Sequence, residues 1–280
     1  MNSGQPQNYW DLLAGQFQHQ HPPLRPCSED IRIYEHAMQP GQSEPPRSRT
    51  RALLLGVTPE IVGLAWPAGT DLLAAEKSQP MIDRFWPGNL PGRRQVVREN
   101  WFNLKLEDHS LDLVVGDGVL TSLNYPDQYC QLARLISRWL KPEGRLILRV
   151  FARPPKPDSW TEILADLKAA RISKFDILKW RLAMVLQKDI REGVVLNEVY
   201  RAWATLEREH ALLLSQAGWP RATMDTIKLY DGRMERYTFP TVEELDEAFL
   251  PVLQRVSWVE PGYDFGHCCP IVSYAPTRSA

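Results

Sequence analysis

The chain has 280 residues, 33 Lys and Arg against 34 Asp and Glu, and 44% hydrophobic residues. The length predicts one large domain or one domain with an insertion, and the balanced charge disfavours nucleic acid as the main partner. A polar start, MNSGQPQNYW, and the lack of an apolar run of about 18 residues disfavour a secretory leader and a membrane span, so we expect a cytoplasmic protein.

Two short helices around a proline-rich elbow are predicted at the beginning of the chain. The first starts at Tyr9-Trp10, and the second follows Ser28, which is placed to cap a helix whose first turn carries Glu29 and Asp30. Residues 39–50, QPGQSEPPRSRT, contain almost nothing that packs, which predicts an exposed connection to the main body.

Buried strands alternating with helical connections are predicted from residue 51 onward. The apolar runs typical of such strands lie at 52–55, 71–75, 94–97, 111–115 and 145–151. Residues 129–140 carry one apolar helical face, and strands at 255–259 and 267–274 close the chain. This alternation predicts a mainly parallel sheet with right-handed crossovers and an antiparallel last strand.

A helical insertion is predicted between the fifth strand and the closing elements. Helical stripes begin at Trp160 and Phe175, and a third continues from Leu196 to a cap at Gly218. The turn Asp231-Gly232 predicts a hairpin that joins 227–230 to 233–239. Thr241 and Glu244 form a capping box that opens a helix expected to end near Pro251.

The loop after the first strand, Gly56-Val57-Thr58-Pro59-Glu60, is the first candidate binding element. Its single glycine matches neither a dinucleotide loop nor a phosphate loop, which both need several glycines to bring backbone close to phosphate. Glu76 ends the next strand 20 residues after Gly56, where a carboxylate can accept hydrogen bonds from both ribose hydroxyls. This pair predicts a site for a nucleoside without pyrophosphate.

These segments resemble the class I S-adenosylmethionine-dependent methyltransferases. The similar segments are Leu53-Leu54-Leu55-Gly56, the stretch from Ala75 to Ile82, Asn100-Trp101-Phe102-Asn103-Leu104, the stretch from Asp112 to Leu120, and Leu140 to Leu146. The resemblance covers about 51–153, is weaker at 255–274 and is absent from 157–240. It implies a Rossmann-like α/β fold whose mainly parallel seven-stranded sheet has an antiparallel last strand, with a helical insertion and an N-terminal helical segment.

The sequence pattern and the resemblance together predict four parts in the chain. Residues 1–50 form a helical cap and linker, 51–156 the cofactor-binding core, 157–240 a helical and hairpin insertion that covers the acceptor, and 241–280 the closing helix and hairpin.

The resemblance also implies S-adenosylmethionine as cofactor and a set of residues that bind it. The expected cofactor-binding residues are Gly56, Thr58, Glu60, Glu76, Lys77, Asn100, Trp101, Asp117 and Gly118. Candidate acceptor-binding residues are Arg25, Tyr125, Tyr263 and His267. The family usually carries an acid two residues before the first glycine and more glycines after it, whereas this sequence has Leu54, Thr58 and Glu60 there.

Several of these residues also have a purely structural interpretation. Glu76 is also read as a surface acid, Trp101 as core and Asp117 as a turn residue, while His210 is favoured as a core histidine. Four irregularly spaced cysteines argue against a disulfide framework. Cys268 and Cys269 are adjacent and expected on opposite faces of the last strand, so we expect no metal site.

The leading hypothesis is a methyltransferase that acts on a small-molecule acceptor. No catalytic base is predicted, because methyl transfer depends chiefly on aligning the acceptor with the methyl group and excluding water. The alternative is a non-catalytic scaffold or partner subunit whose altered first motif has lost the cofactor. A nicotinamide oxidoreductase ranks third because the loop after the first strand lacks the glycines of a dinucleotide-binding loop. No membrane partner is expected, and a homodimer is a candidate assembly.

Overall fold

A computed structural model describes residues 9–39 and 49–277. It contains a seven-stranded sheet formed by β1 (Arg51–Leu55), β2 (Asp71–Glu76), β3 (Arg94–Arg98), β4 (Leu111–Asp117), β5 (Leu140–Arg149), β8 (Leu253–Val259) and β9 (Ile271–Pro276). The strand order is β3-β2-β1-β4-β5-β9-β8, and β9 runs antiparallel to both of its neighbours. The predicted mainly parallel sheet with a reversed last strand is therefore confirmed.

Alternate residues of the central strands pack into two separate cores. Leu54 and Val115 face the first core, while Leu53 and Val114 face the second, as the two-residue period of a strand requires. The parallel register pairs Leu53 with Val114. Because both faces are covered, these strands are continuous apolar runs in the sequence.

Helices cover both faces of the sheet. The second core is closed by α5 (Asp127–Trp139) and α11 (Val242–Phe249). The first core receives side chains from α1 (Tyr9–Gln16), α2 (Ser28–Ala37), α3 (Pro59–Val62), α4 (Gln79–Phe85), α6 (Trp160–Lys168), α7 (Phe175–Leu186), α8 (Leu196–Glu209) and α9 (Ala211–Gln216). The remaining helix is α10 (Arg221–Asp225).

The start of α2 corrects the predicted cap. Ser28 is the first helical residue, and the Asp30 carboxylate accepts a hydrogen bond of 2.7 Å from the backbone N–H of Cys27. Asp30, and not Ser28, therefore provides the side-chain carboxylate that caps the N-terminus of α2. The connection predicted at 39–50 lies mostly outside the residues that the structure describes.

The predicted hairpin at 227–239 is wrong. Thr226–Tyr230 is a 3-10 helix, and β7 (Arg236–Tyr237) pairs with β6 (Val194–Val195) in a small antiparallel sheet. Gly232 does take a turn conformation with φ of +68°, but its N–H bonds to the Asn197 side chain. The strand partner is distant in sequence, so the local turn signal pointed to the wrong pairing.

Two further element predictions need correction. The third helix of the insertion is interrupted at His210, whose φ of −130° and ψ of 31° are not helical, so α8 and α9 are separate. The last strand begins at Ile271, after a 3-10 turn over Gly266–Cys268. Cys268 and Cys269 therefore precede the strand, and both are buried in the first core.

Candidate functional site

The main cavity lies at the carboxyl ends of β1, β2 and β4. Strand order reverses between β1 and β4, and the diverging connections there leave a crevice beyond the sheet. Eight of the nine residues predicted to bind cofactor line this cavity, namely Gly56, Thr58, Glu76, Lys77, Asn100, Trp101, Asp117 and Gly118. The topology thus brings together residues that are up to 62 positions apart.

Gly56 and Glu76 face each other at the start of the cavity. Gly56 has a φ of +96°, and a Cβ built on it would lie 3.7 Å from Oε2 of Glu76. Oε1 of Glu76 accepts a hydrogen bond of 2.7 Å from the Ser78 N–H. Burial raises the pKa of Glu76, while the Ser78 N–H acts in the opposite direction. The carboxylate is thus largely removed from water and held at the cavity wall.

Asn100 and Trp101 form the wall after β3. The Asn100 side chain accepts a hydrogen bond from Phe102 N–H and so opens the short 3-10 helix Trp101–Asn103. The Trp101 indole N–H donates to the Ala75 carbonyl at 2.8 Å, beside Glu76. This bond fixes the indole ring at the cavity with its polar edge already satisfied.

Asp117 and Gly118 close the cavity after β4. Oδ1 of Asp117 accepts from Nε of Arg149 at 2.6 Å, and Arg149 is completely buried. Burial raises the pKa of Asp117 and Arg149 opposes that rise. Gly118 has a φ of +62°, and a Cβ there would come within 3.0 Å of the Phe151 ring. A glycine is therefore required at this turn.

Arg149 also holds the N-terminal segment against the sheet. Its guanidinium donates to the Pro23 carbonyl at 2.9 Å and lies 3.7 Å from the Asp30 carboxylate. The Tyr263 hydroxyl donates to the other oxygen of Asp30 at 3.0 Å. Arg149 was not predicted as a site residue, because an arginine at a strand end gives no sequence signal of its own.

Glu60 and Arg25 form an ion pair beside the cavity. Nε of Arg25 donates to Oε1 of Glu60 at 2.8 Å, and Nη2 contacts the same oxygen. Oε2 of Glu60 is buried and has no hydrogen-bond partner among residues 9–39 and 49–277. Neither side chain lines the cavity, so the pair joins the N-terminal segment to α3 behind the wall.

The other three acceptor candidates lie away from the main cavity. Tyr125 is buried against Tyr129, with ring centroids 5.3 Å apart. Tyr263 bonds to Asp30 as described, and His267 lines a second groove together with Trp258. The structure does not bring these three residues together with the eight cavity residues.

The cavity lining also includes an aromatic chamber that we define by six residues from three parts of the chain. These are Tyr9, Phe17, Phe151, Trp180, Tyr230 and Tyr237. The Trp180 ring contacts Phe151 and Tyr237 edge to face, with centroids 5.0 and 5.5 Å apart. Trp160, Trp180 and Trp203 of the insertion all pack in the first core, and of these three only Trp180 lines the cavity.

Residues 58–148 match a family model described as a methyltransferase domain. The match covers 91 of the 280 residues, less than half of the chain. The chain thus contains a methyltransferase domain, and its sheet has the reversed last strand that the resemblance to class I methyltransferases implies. S-adenosylmethionine is the cofactor of this domain. None of the curated proteins is detectably similar in sequence.

Solved structures share the fold of this methyltransferase domain at low sequence identity. The N-methyltransferase NodS of Bradyrhizobium japonicum WM9, solved with S-adenosyl-L-homocysteine, is 11% identical, with a TM-score of 0.51 over 97% of this chain and 100% of that one. A chain of the Haloferax volcanii complex of the Trm112 methyltransferase activator with a protein described as a methyltransferase is 11% identical, with a TM-score of 0.52 over 98% and 100%.

A third similar structure carries a different description. It is a Rhodobacter sphaeroides protein described as a zinc-dependent alcohol dehydrogenase, 15% identical, with a TM-score of 0.57 over 96% of this chain and 97% of that one. At these identities the likeness concerns the fold alone. The part of the chain that the structure describes has no cluster of three or more His, Cys, Asp or Glu placed to hold a metal ion, and no helix there is long and apolar enough to cross a membrane.

Proposed function

We propose that this protein is an S-adenosylmethionine-dependent methyltransferase that acts on a small-molecule acceptor. The observation that carries the proposal is a single cavity that runs from the strand-end loops into the aromatic chamber. One end offers the polar groups that a nucleoside needs, and the other is walled by rings from the N-terminal segment and the helical insertion. A concave cavity with aromatic walls suits a compact acceptor better than a polymer.

The residues at the strand ends fit the cofactor. A side chain at Gly56 would fill the space in front of Glu76, which the glycine leaves open for a ribose. The buried Glu76 carboxylate is an acceptor for the two ribose hydroxyls, and the fixed Trp101 indole offers a flat face to the adenine. We assign the methionine end to the loop of Thr58 and to the turn of Asp117 and Gly118.

The protein's contribution to the reaction is positioning. When bound, S-adenosylmethionine supplies an electrophilic methyl group on a sulfonium sulfur. The chain's own residues hold the acceptor in line with that methyl and exclude water, which together lower the barrier without a dedicated base. The N-terminal segment, held down by Arg149, and the insertion at 157–240 close the chamber over the reacting groups.

A non-catalytic scaffold is the second candidate, and the loop after β1 favours it. Pro59 stands at the first position of α3, in a loop where the family has glycines, and Glu60 is engaged by Arg25. In this interpretation the cavity no longer holds the cofactor and the helical insertion serves as an interface.

Calorimetric titration separates the two candidates. We expect S-adenosylmethionine and S-adenosylhomocysteine to bind the full chain, and Glu76→Ala to bind at least about tenfold more weakly, since hydrogen bonds to a charged group contribute about 1.5–3 kcal/mol each. The lack of binding of either compound at millimolar concentration would favour the scaffold. Equal binding by Glu76→Ala would contradict the assignment of the ribose site.

A further inference from the structure

The charges of the cavity are distributed unequally. Its charged lining residues are Glu76, Lys77, Glu99 and Asp117, all at or just after the ends of β2, β3 and β4. The six residues that define the aromatic chamber carry no charge themselves, but Arg25 lies over the Phe17 ring and Arg149 over the Phe151 ring, at 4.6 and 5.2 Å from the centroids. Neither arginine is among the described residues that line the cavity, so an acceptor against these rings meets aromatic faces and neutral hydroxyls.

The tyrosine hydroxyls of the chamber stay protonated. Tyr9, Tyr230 and Tyr237 hydrogen-bond to one another, and their ring centroids lie 5.9–6.1 Å apart. Burial raises the pKa of Tyr9 to about 12 and those of the other two well above the usual value. No phenolate is present at neutral pH to take a proton from an acceptor.

The charged pair behind the chamber is self-compensating. Lys179 lies 5.7 Å from the centroid of the Tyr230 ring, and its Nζ is 3.7 Å from the Asp176 carboxylate. Both side chains are only 1% exposed, and neither lines the cavity. The pair thus adds no net charge to that wall.

Resting on the proposed function, we infer that the acceptor is an uncharged, planar aromatic molecule with a nitrogen nucleophile. An anionic acceptor would lose its hydration, and each cation that lies over a chamber ring is already paired with a carboxylate. A hydroxyl acceptor would need a base to remove its proton, and the nearest carboxylate that lines the cavity, Asp117, already accepts from Arg149. A neutral nitrogen attacks with its lone pair and needs no prior proton removal.

The aromatic walls of the chamber can stabilise the positive charge that develops on the acceptor nitrogen during methyl transfer. The nitrogen lone pair forms the new N–CH₃ bond while the C–S bond breaks, and the electron pair of that bond leaves with sulfur as a neutral thioether. The positive charge passes from sulfur to nitrogen. A cation close to tryptophan and tyrosine faces is stabilised by their quadrupoles, so the walls favour the charge where it develops.

The test uses two-ring probes of similar size and different chemistry. Isoquinoline is neutral with a ring nitrogen, 2-naphthol carries a hydroxyl, and 2-naphthoate is an anion. Each is titrated calorimetrically into the full chain saturated with S-adenosylhomocysteine. We expect isoquinoline to bind and 2-naphthoate to bind at least about tenfold more weakly. With S-adenosylmethionine, mass spectrometry should detect N-methylisoquinolinium and a slower or absent O-methylation of 2-naphthol.

Two variants, one in the insertion and one in the N-terminal segment, test the role of the chamber in binding. Trp180→Leu on α7 and Phe17→Leu beside α1 should each weaken isoquinoline binding about tenfold, because each removes an aromatic wall. Trp160→Leu, outside the cavity, is the matched control and should change it less than about twofold. Binding of S-adenosylhomocysteine should persist in all three variants, which also shows that they fold.

The possible results separate this inference from the proposed function. Failure of S-adenosylhomocysteine to bind the parent chain overturns the proposed function. Cofactor binding with equal affinities for isoquinoline and 2-naphthoate, with faster methylation of 2-naphthol, or with unchanged isoquinoline affinity in both chamber variants overturns the acceptor assignment alone.

Discussion

At the scale of single residues, Glu76 shows how position changes the chemistry of a common side chain. Burial raises its pKa above the ordinary value of 4.5. The ionised form is the one that accepts hydrogen bonds from both ribose hydroxyls, so cofactor binding should weaken as the pH falls through this raised pKa. Because the pKa is raised, the loss should begin at a higher pH than for an exposed glutamate.

Titrations of S-adenosylhomocysteine at a series of pH values between 4.5 and 7.5 check this prediction. Glu76→Gln should bind S-adenosylhomocysteine about tenfold more weakly at neutral pH. Its affinity should no longer fall as the pH is lowered. Glu107→Gln, with a side chain that is 83% exposed, serves as the control and should keep the parent profile. An unchanged pH profile in Glu76→Gln would show that another group governs binding.

The buried ion pair of Lys179 and Asp176 should matter more for stability than any surface pair. Lys179→Met removes the buried cation and leaves the Asp176 carboxylate with the His21 backbone N–H and the ring nitrogen of His21, 3.1 and 3.7 Å away. It should lower the free energy of unfolding at pH 7 by about 3 kcal/mol. The double variant with Asp176→Asn should recover much of that loss. Urea denaturation measures both, with the exposed Lys174→Met as control.

The pH dependence of the destabilisation by Lys179→Met follows from the raised pKa of Asp176. Burial raises the pKa of Asp176, so the folded protein binds its proton at a higher pH than the unfolded chain does. A protonated Asp176 needs no counter-ion. The destabilisation by Lys179→Met should therefore shrink as the pH is lowered from 7 to 5, and a loss that grows instead would contradict the ion-pair assignment.

At the scale of elements, a buried hydroxyl of α2 adds two hydrogen bonds to the contact of Asp30 with Arg149. Tyr34 donates to the Gly116 carbonyl at 2.7 Å and accepts from the Arg149 N–H at 2.8 Å, so it bridges β4 and β5. Tyr34→Phe leaves both backbone groups buried without a partner and should cost about 1–3 kcal/mol of stability. Denaturation midpoints check this, and Tyr200→Phe on α8 should change them by less than about 0.5 kcal/mol.

The sheet could be predicted from the sequence, whereas the helical insertion could be predicted only in part. Continuous apolar runs such as 52–55 mark strands that are buried on both faces, a local signal. The pairing of β6 with β7 joins residues about 40 positions apart, and the Asp231-Gly232 turn could not reveal it. His210 interrupts a helix whose apolar period continues on both sides of it.

The candidate site, like the fold, could be predicted from the sequence only in part. Glu76 and Asn100-Trp101 follow predicted strands at fixed places, so their convergence follows from topology alone. Arg149 and the three tyrosines of the chamber meet only through tertiary packing of the N-terminal segment and the insertion against the core. Single-residue patterns carry no information about such contacts.

At the scale of the whole molecule, the cavity joins three parts of the chain that are distant in sequence. Its walls come from α1 and the 3-10 turn after it, from the loops of the core, and from α7 with the segment around Tyr230. A ligand that contacts the loops and encloses the chamber should therefore reduce local opening in all three parts, since binding lowers the population of open states that lack the site.

Hydrogen exchange with and without saturating S-adenosylhomocysteine tests this coupling. We expect slower exchange in peptides that cover α1, the 3-10 helix Trp101–Asn103 and the 3-10 turn Val119–Ser122, because their residues line the cavity. Peptides from α11 pack on the opposite face of the sheet and should exchange unchanged. Protection limited to the strand-end loops would show that α1 does not close over the bound ligand. Protection that includes α1 is expected if the N-terminal segment, held by Arg149, is a wall of the loaded site.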